Sequence, residues 1–152
     1  VAGLYAAVTI LTASFAYGNI QFRIAEALCP LVALEPSLTV GLTLGCLIAN
    51  LFSTVSALDI VVGTAATLLG CLITRYVKKT WALPLPNILC NMFLVGAMLS
   101  AVLMPAAEFF KGLAIFGAEV GAGEAVVLYV LGLPLYRFIR KTGLIDKLLG
   151  RG

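Results

Sequence analysis

The chain has 152 residues, of which 62% are hydrophobic and 11% charged, with a formal net charge of +3 and a mean hydropathy of +1.11. Soluble domains carry about 25% charged residues, so this composition excludes a soluble enzyme, a nucleic-acid-binding domain and a disordered chain. It specifies an all-α integral membrane protein.

Charge-free stretches run over 1–22, 36–58, 60–74, 80–107 and 125–136, and an apolar helix needs about 17–25 residues to cross hydrocarbon. The first stretch predicts one span ending near Tyr17-Gly18. It has neither an Arg-rich start nor a small-residue cleavage pattern, so it reads as a span and not as a signal peptide. Residues 21–28 then form a polar segment between the first two spans. It is either a solvated interfacial helix in which Arg23 and Glu26 pair at i,i+3, or a lid whose polar groups point into a pocket.

Residues 36–74 predict two short helices broken near Ser53-Thr54-Val55-Ser56. Pro84 and Pro86 open, and Pro105 closes, a helix over 85–104, because proline suits a first helical turn and stops the helix before it. Residues 106–121 carry Glu108, Lys111 and Glu119 and predict a short tucked crossing or an interfacial helix. Residues 123–138 predict the last span. The count is five spans with a sixth left open, within a single transmembrane domain over 1–152. The basic cluster Arg137, Arg140, Lys141, Lys147 and Arg151 places the C-terminal end in the cytoplasm. Six crossings would put the N-terminal end there too, but they leave Arg75, Lys78 and Lys79 outside, against the same rule.

Histidine is absent, which removes the commonest general base, metal ligand and pH switch. None of the four cysteines stands in a CxxC pair, and they read as plain apolar residues with no metal to bind. The informative side chains are those that hydrocarbon disfavours, since an ionisable group at mid-membrane costs about 2.5–3.5 kcal/mol on insertion scales. They are Arg23, Glu26, Asn50, Asp59, Asn87, Asn91, Glu119 and Glu124. Each has two readings. Asp59 is a helix N-cap or a pocket acid. Asn50 and Asn91 bond to another helix or touch a ligand. Glu124 complements a helix dipole at the start of the last span or lies at a mouth where helices converge. Ala2 and Ala6, like Gly3 and Ala7, have the small-xxx-small spacing that lets membrane helices approach closely.

Gln21-Phe22-Arg23 with Glu26-Ala27-Leu28, Gly41-Leu42, Gly45-Cys46 with Asn50, Asp59 and Gly63 with Ala66-Thr67-Leu68-Leu69, then Gly123-Glu124 and Tyr129-Val130-Leu131-Gly132-Leu133-Pro134-Leu135 together resemble the QueT family. The resemblance runs over nearly the whole chain. It implies a substrate-binding S-component of an energy-coupling-factor importer in a prokaryotic cell membrane, capturing a queuosine precursor. It further implies six transmembrane helices, with a pocket on the outer side beneath the loop joining the first two. The implied partners are an EcfT-like transmembrane scaffold, contacted through Ala2 and Ala6, and two ABC ATPases. ATP is then used by those subunits, and this chain, which has no Walker A pattern, carries no cofactor.

Queuosine precursors are deazaguanine bases, whose edge offers N–H donors beside a carbonyl. Glu26, Asp59 or Glu124 would accept from the donors. Arg23, Gln21 or Asn91 would serve the carbonyl, and Phe22, Tyr17, Trp81 or Tyr129 would stack the ring. A self-sufficient secondary transporter or channel is the alternative, favoured by inverted halves, of which the sequence shows none. A membrane-embedded enzyme needs a nucleophile with a base or a metal cluster, and no such pair is close in sequence.

Overall fold

Glycine and alanine decide how closely the helices of this bundle pack, and polar side chains decide their order. The computed structural model describes residues 1–12, 23–52 and 57–150. Among them every regular element is helical. We number six segments: α1, Ala2–Leu11; α2, Ile24–Ala33; α3, Leu38–Asn50; α4, Ala57–Thr74; α5, the run Thr80–Leu103; and α6, the run Ala106–Thr142. The last three are long and apolar enough to cross a membrane. A short helix, α7, covers Leu144–Leu148 after Gly143, whose φ of 61° closes α6 in the left-handed region that glycine adopts without a side-chain clash.

The direction of each segment follows from what it touches. A Cβ placed on Gly41 would meet Val1, and one on Gly45 would lie 2.6 Å from the Ala2 carbonyl oxygen, so α1 and α3 run parallel at backbone contact. Cys46 meets Thr67, and Asn50 meets the Asp59 carbonyl, so α3 and α4 are antiparallel. Arg23 bonds to Asp59 and Glu26 to Thr67, so α2 runs alongside α4 in the same direction. Thr74 bonds to the Leu83 carbonyl, which turns α5 back against α4. Gly96 and Gly117 abut, and Ser100 bonds to the Phe109 carbonyl, which turns α6 back against α5. The six segments thus alternate. Residues near 34–37, 75–84 and 140–147 share one end, and residues near 23, 50–59 and 103–109 share the other.

The segment α2 is a 3-10 helix ten residues long, where runs beyond three or four residues are uncommon. Its larger rise lets ten residues reach about 20 Å, against about 15 Å for an α-helix of the same count. With three residues per turn, Arg23, Glu26, Cys29 and Val32 fall on one face, and all four are buried. The α5 and α6 runs each contain a π turn, Asn91–Val95 and Leu128–Gly132.

Several expectations change. Residues 106–121 and 123–138 are one continuous helix. Gly117, Gly121 and Gly123 do not break it, because Gly117 and Gly121 receive the Met92 side chain and backbone of α5. Glu124 therefore sits in the middle of a helix and not at its start. The segment after Phe22 is buried in the bundle, so the solvated interfacial helix is not formed. Replacing the divided last segment by one, and counting α2, brings Arg75, Lys78 and Lys79 to the same end as the C-terminal basic cluster, and the conflict over charge placement disappears. Asp59 lies within α4 and does not cap it from outside. The end of the first span near Tyr17-Gly18 and the break at Ser53-Thr54-Val55-Ser56 lie outside the described residues.

Close packing at Gly45 gives a test. Gly45→Ala drives a methyl group into the Ala2 backbone, and overpacking of this kind costs about 1–3 kcal/mol. Gly3 has nothing within 4 Å of an added Cβ. Thermal unfolding in detergent is expected to show a lowered midpoint for Gly45→Ala and no loss for Gly3→Ala.

Candidate functional site

The polar side chains of the interior are stacked in layers along α2. The first layer holds Arg23, whose Nη2 donates to Asp59 Oδ1 at 3.0 Å and, more weakly, to Asn50 Oδ1 at 3.4 Å. Asn50 Nδ2 in turn donates to the Asp59 carbonyl at 3.1 Å and approaches Cys46 Sγ and Thr64 Oγ1 at 3.4 Å. This fixes the last turn of α3 and the first of α4 around one guanidinium. Gly63 leaves the space, since a Cβ there would lie 2.8 Å from Asn50 Nδ2 and 3.0 Å from Arg23 Nη2.

One turn along α2 is Glu26, fully buried. Its Oε1 accepts from the Tyr5 hydroxyl at 2.5 Å and from Thr67 Oγ1 at 2.7 Å, and its Oε2 accepts from Cys29 Sγ at 2.9 Å. Thr67 also meets Cys46 Sγ at 3.3 Å. A buried carboxylate is tolerable when its lone pairs are filled, and here α1, α2 and α4 each supply a neutral donor. Beyond it Cys29 faces Cys71, and the Asn87 amide lies against Gly70, where any Cβ would collide with it.

The remaining polar groups are open. Glu124 is 1% exposed, and neither carboxylate oxygen has a hydrogen-bond partner among the described residues. It lies within electrostatic reach of both Glu26 and Arg23. Arg23 Nε and Nη1, Asn91 Oδ1, and both polar atoms of the Asn87 amide are likewise buried without partners. Asn91 Nδ2 is used by the Asn87 carbonyl at 3.1 Å. Asn91 opens the π turn of α5, beside Met92, which packs on Gly121 one turn from Glu124. π turns occur often at functional sites.

Of the residues singled out in the sequence, the bundle brings together Arg23, Glu26, Asn50, Asp59 and Glu124, with Asn91 on the adjoining face of α5. Arg23 and Glu26 do not pair with one another; the 3-10 pitch sends each to a different partner on α4. Tyr129 is not with them. It is 37% exposed, and its hydroxyl donates to the carbonyl of Trp81, itself exposed, at 3.0 Å. Gln21, Phe22 and Tyr17 lie outside the described residues. Ala6 is buried and Ala2 half-buried against α3. The outward face of α1 carries Gly3, Leu4 and Ala7 instead. Glu119 is half-buried and outside the cluster.

Sequence reasoning missed Tyr5, Cys29, Cys46 and Thr67. The three-residue spacing of Arg23, Glu26 and Cys29 is the signal for the second of these, once the segment is read as a 3-10 helix.

Buried polar groups left open inside an apolar helical bundle are the mark of membrane proteins that handle solutes or ions. Residues 1–141 match the family model described as QueT transporter, and the chain belongs to that family of membrane transporters. No curated protein and no solved structure gives a significant match.

The ion pair at the first layer carries a prediction. Arg23→Met takes the guanidinium from the buried Asp59 carboxylate, and breaking one partner of a buried pair costs about 3–5 kcal/mol. Asp59→Asn alone is expected to cost less than Arg23→Met, and the double variant Arg23→Met/Asp59→Asn to recover stability relative to Arg23→Met. A double-mutant cycle on thermal unfolding reads this; additive losses would remove the pair from its structural role.

Proposed function

We propose that this chain is the substrate-binding subunit of an energy-coupling-factor importer and that it captures a deazaguanine base, a queuosine precursor. The observation that supports this reading is the set of open polar atoms beside a fully satisfied support. Among the described residues Arg23 has two donor nitrogens without partners, Nε and Nη1, Glu124 two acceptor oxygens, and Asn91 one acceptor oxygen. A guanine-like edge presents the complement: ring and amine N–H groups toward a carboxylate, and a carbonyl toward a guanidinium. Asn50, Asp59 and Glu26 serve as positioning residues in this reading, because their hydrogen bonds tie helices together. Discrimination follows from the same set, since a wrong base leaves buried groups unpaired.

In the cell membrane the basic end of the bundle, with Arg75, Lys78, Lys79, Arg137, Arg140, Lys141 and Lys147, faces the cytoplasm by the positive-inside rule. Arg23, Asn50 and Asp59 then lie toward the outer side, where a solute arrives. Energy comes from outside the chain. An EcfT-like scaffold with two ATPases engages the loaded subunit, and the exposed small residues Gly3 and Ala7, flanked by Ala2 and Ala6, give α1 a face that a partner helix can approach closely.

Two measurements test this. Isothermal titration of the purified protein with 7-deazaguanine bases is expected to give saturable binding, weakened about tenfold or more in Asn91→Ala, as for loss of a buried polar contact. Absence of binding by a folded protein overturns the assignment. Membrane-impermeant maleimide is expected to label Lys79→Cys only in inside-out vesicles and Ala106→Cys only in intact cells, both sites being exposed; the reverse pattern overturns the orientation.

A further inference from the structure

A trough runs along the outside of the bundle between α1 and α6, with α2 as its floor. The side chains make it. The floor carries Ala25 and Ala27, while the walls carry Leu4, Val8, Leu131 and Leu135. This reach begins at Ile24 and has a volume of about 320 Å³. Leu4, Leu28 and Leu135 line it and also a second reach, of about 500 Å³, so the two are continuous. The second reach ends on Ile139, Leu144 and Leu149, at the basic end of the bundle. Gly143, with its φ of 61°, turns the chain there so that α7 brings Leu144 and Leu149 to the trough. Glu35 and Ser37 are the polar residues on the wall, and Glu35 Oε1 accepts from the Ser37 N–H at 3.3 Å. Ile139 and Ile145 belong both to the trough and to a small cleft that Arg140 and Asp146 line.

We propose that the trough binds one anionic phospholipid, with an acyl chain between α1 and α6 and the phosphate on Arg140. The proposal is independent of what the polar interior binds. The order of chemistry along the trough is that of the lipid: a long aliphatic channel, then a polar cleft with a guanidinium. Arg140 is exposed and forms no ion pair among the described residues, so its planar donors are open to a phosphate. The surrounding field is positive, since Arg137, Arg140, Lys141 and Lys147 stand here against Glu35 and Asp146. Basic pockets of this kind take anionic headgroups. The walls argue against a helix as the occupant. A helix is about 10 Å across and approaches closely where the facing residues are small. The small pair Gly3 and Ala7 is not among the residues that line the trough, whose walls are branched aliphatic side chains. A flexible chain fits between such side chains where a rigid cylinder does not.

The test is native mass spectrometry of the full chain in a neutral detergent. The probes are phosphatidylglycerol and phosphatidylcholine with the same palmitoyl and oleoyl chains. The wild-type protein is expected to retain one phosphatidylglycerol about fivefold more strongly than phosphatidylcholine, the worth of one basic residue against an anionic lipid. Arg140→Gln is expected to remove that preference, and Lys79→Gln, a basic position at the same end outside the trough, to keep it. Leu4→Trp fills the junction of the two reaches from a side chain that is 55% exposed, and it is expected to abolish retention of both lipids. Should Leu4→Trp lower the thermal midpoint, Leu131→Trp, also exposed, carries the same test. Equal retention of the two lipids by the wild-type protein overturns the proposal, as does an equal loss of preference in Lys79→Gln and Arg140→Gln. Retention that survives both tryptophan variants places the lipid elsewhere and overturns it too. Displacement by excess soluble glycerophosphoglycerol would assign Arg140 to a free phosphate and overturn the acyl-chain site. A dimer in place of the lipid, lost in Leu4→Trp, would give the trough to a second copy of the chain. No retained lipid and no dimer would leave the trough to a partner helix. Both of these results overturn the proposal.

Discussion

The ion pair between Arg23 and Asp59 fixes how α2 lies against α4, and the rest of the interior follows from that register. A guanidinium and a carboxylate drawn out of water cost several kcal/mol each unless they meet in good geometry. Once α2 enters the bundle at Arg23, one 3-10 turn sets Glu26 opposite Thr67 and a second sets Cys29 opposite Cys71. Any slip of α2 along α4 would lose the pair and the Thr67 donor to Glu26 together. Apolar packing alone would tolerate such a slip, since Ala25, Ala27, Leu31 and Val32 offer similar surfaces at neighbouring heights. The polar layers supply the specificity that a lipid-soluble surface lacks, where there is little hydrophobic drive between helices.

Much of the architecture was legible in the sequence because charge avoidance is severe in hydrocarbon. The stretches without charges located α3, α4 and α5 within a few residues, and the prolines bracketed α5. The errors arose where the same rule was applied to groups that the protein itself buries. Glu119 and Glu124 divided one long helix into two, because a carboxylate in a span reads as a boundary until its partners are known. Arg23 and Glu26 excluded α2 from the list of segments for the same reason. Composition says what lipid refuses; it says nothing about what other helices accept.

The candidate site was legible as a list and not as an arrangement. Arg23, Glu26, Asn50, Asp59, Asn91 and Glu124 all belong to the buried polar interior, yet their roles differ, and the difference depends on neighbours scattered from Tyr5 to Thr67. Tyr5 is an unremarked residue in an apolar helix until its hydroxyl meets a carboxylate two segments away. Cys29 and Cys46 read as apolar filling because no second thiol stands nearby in sequence. Tyr129 fails for the opposite reason: an aromatic residue in a span reads as a stacking platform, but its position on α6 turns it outward, toward Trp81.

The contrast between Glu26 and Glu124 shows how one interior can hold two carboxylates for different ends. Glu26 comes from the segment with the tightest pitch, ringed by donors from three helices, and it has no freedom to reorient. Glu124 comes from the longest helix, four residues before a π turn, and faces α2 with both oxygens open. A π turn takes up an additional residue and so shifts which positions face inward beyond it. Glu124 on one side and Gly132 and Tyr136 on the other can thereby all face the bundle, with Gly132 lying against Ala27 and Pro30 of α2. Held by packing below and free of bonds above, α6 presents its acid without tying it down. A rigid frame that leaves polar groups such as Glu124 without partners among the described residues has little left to order if those groups are engaged.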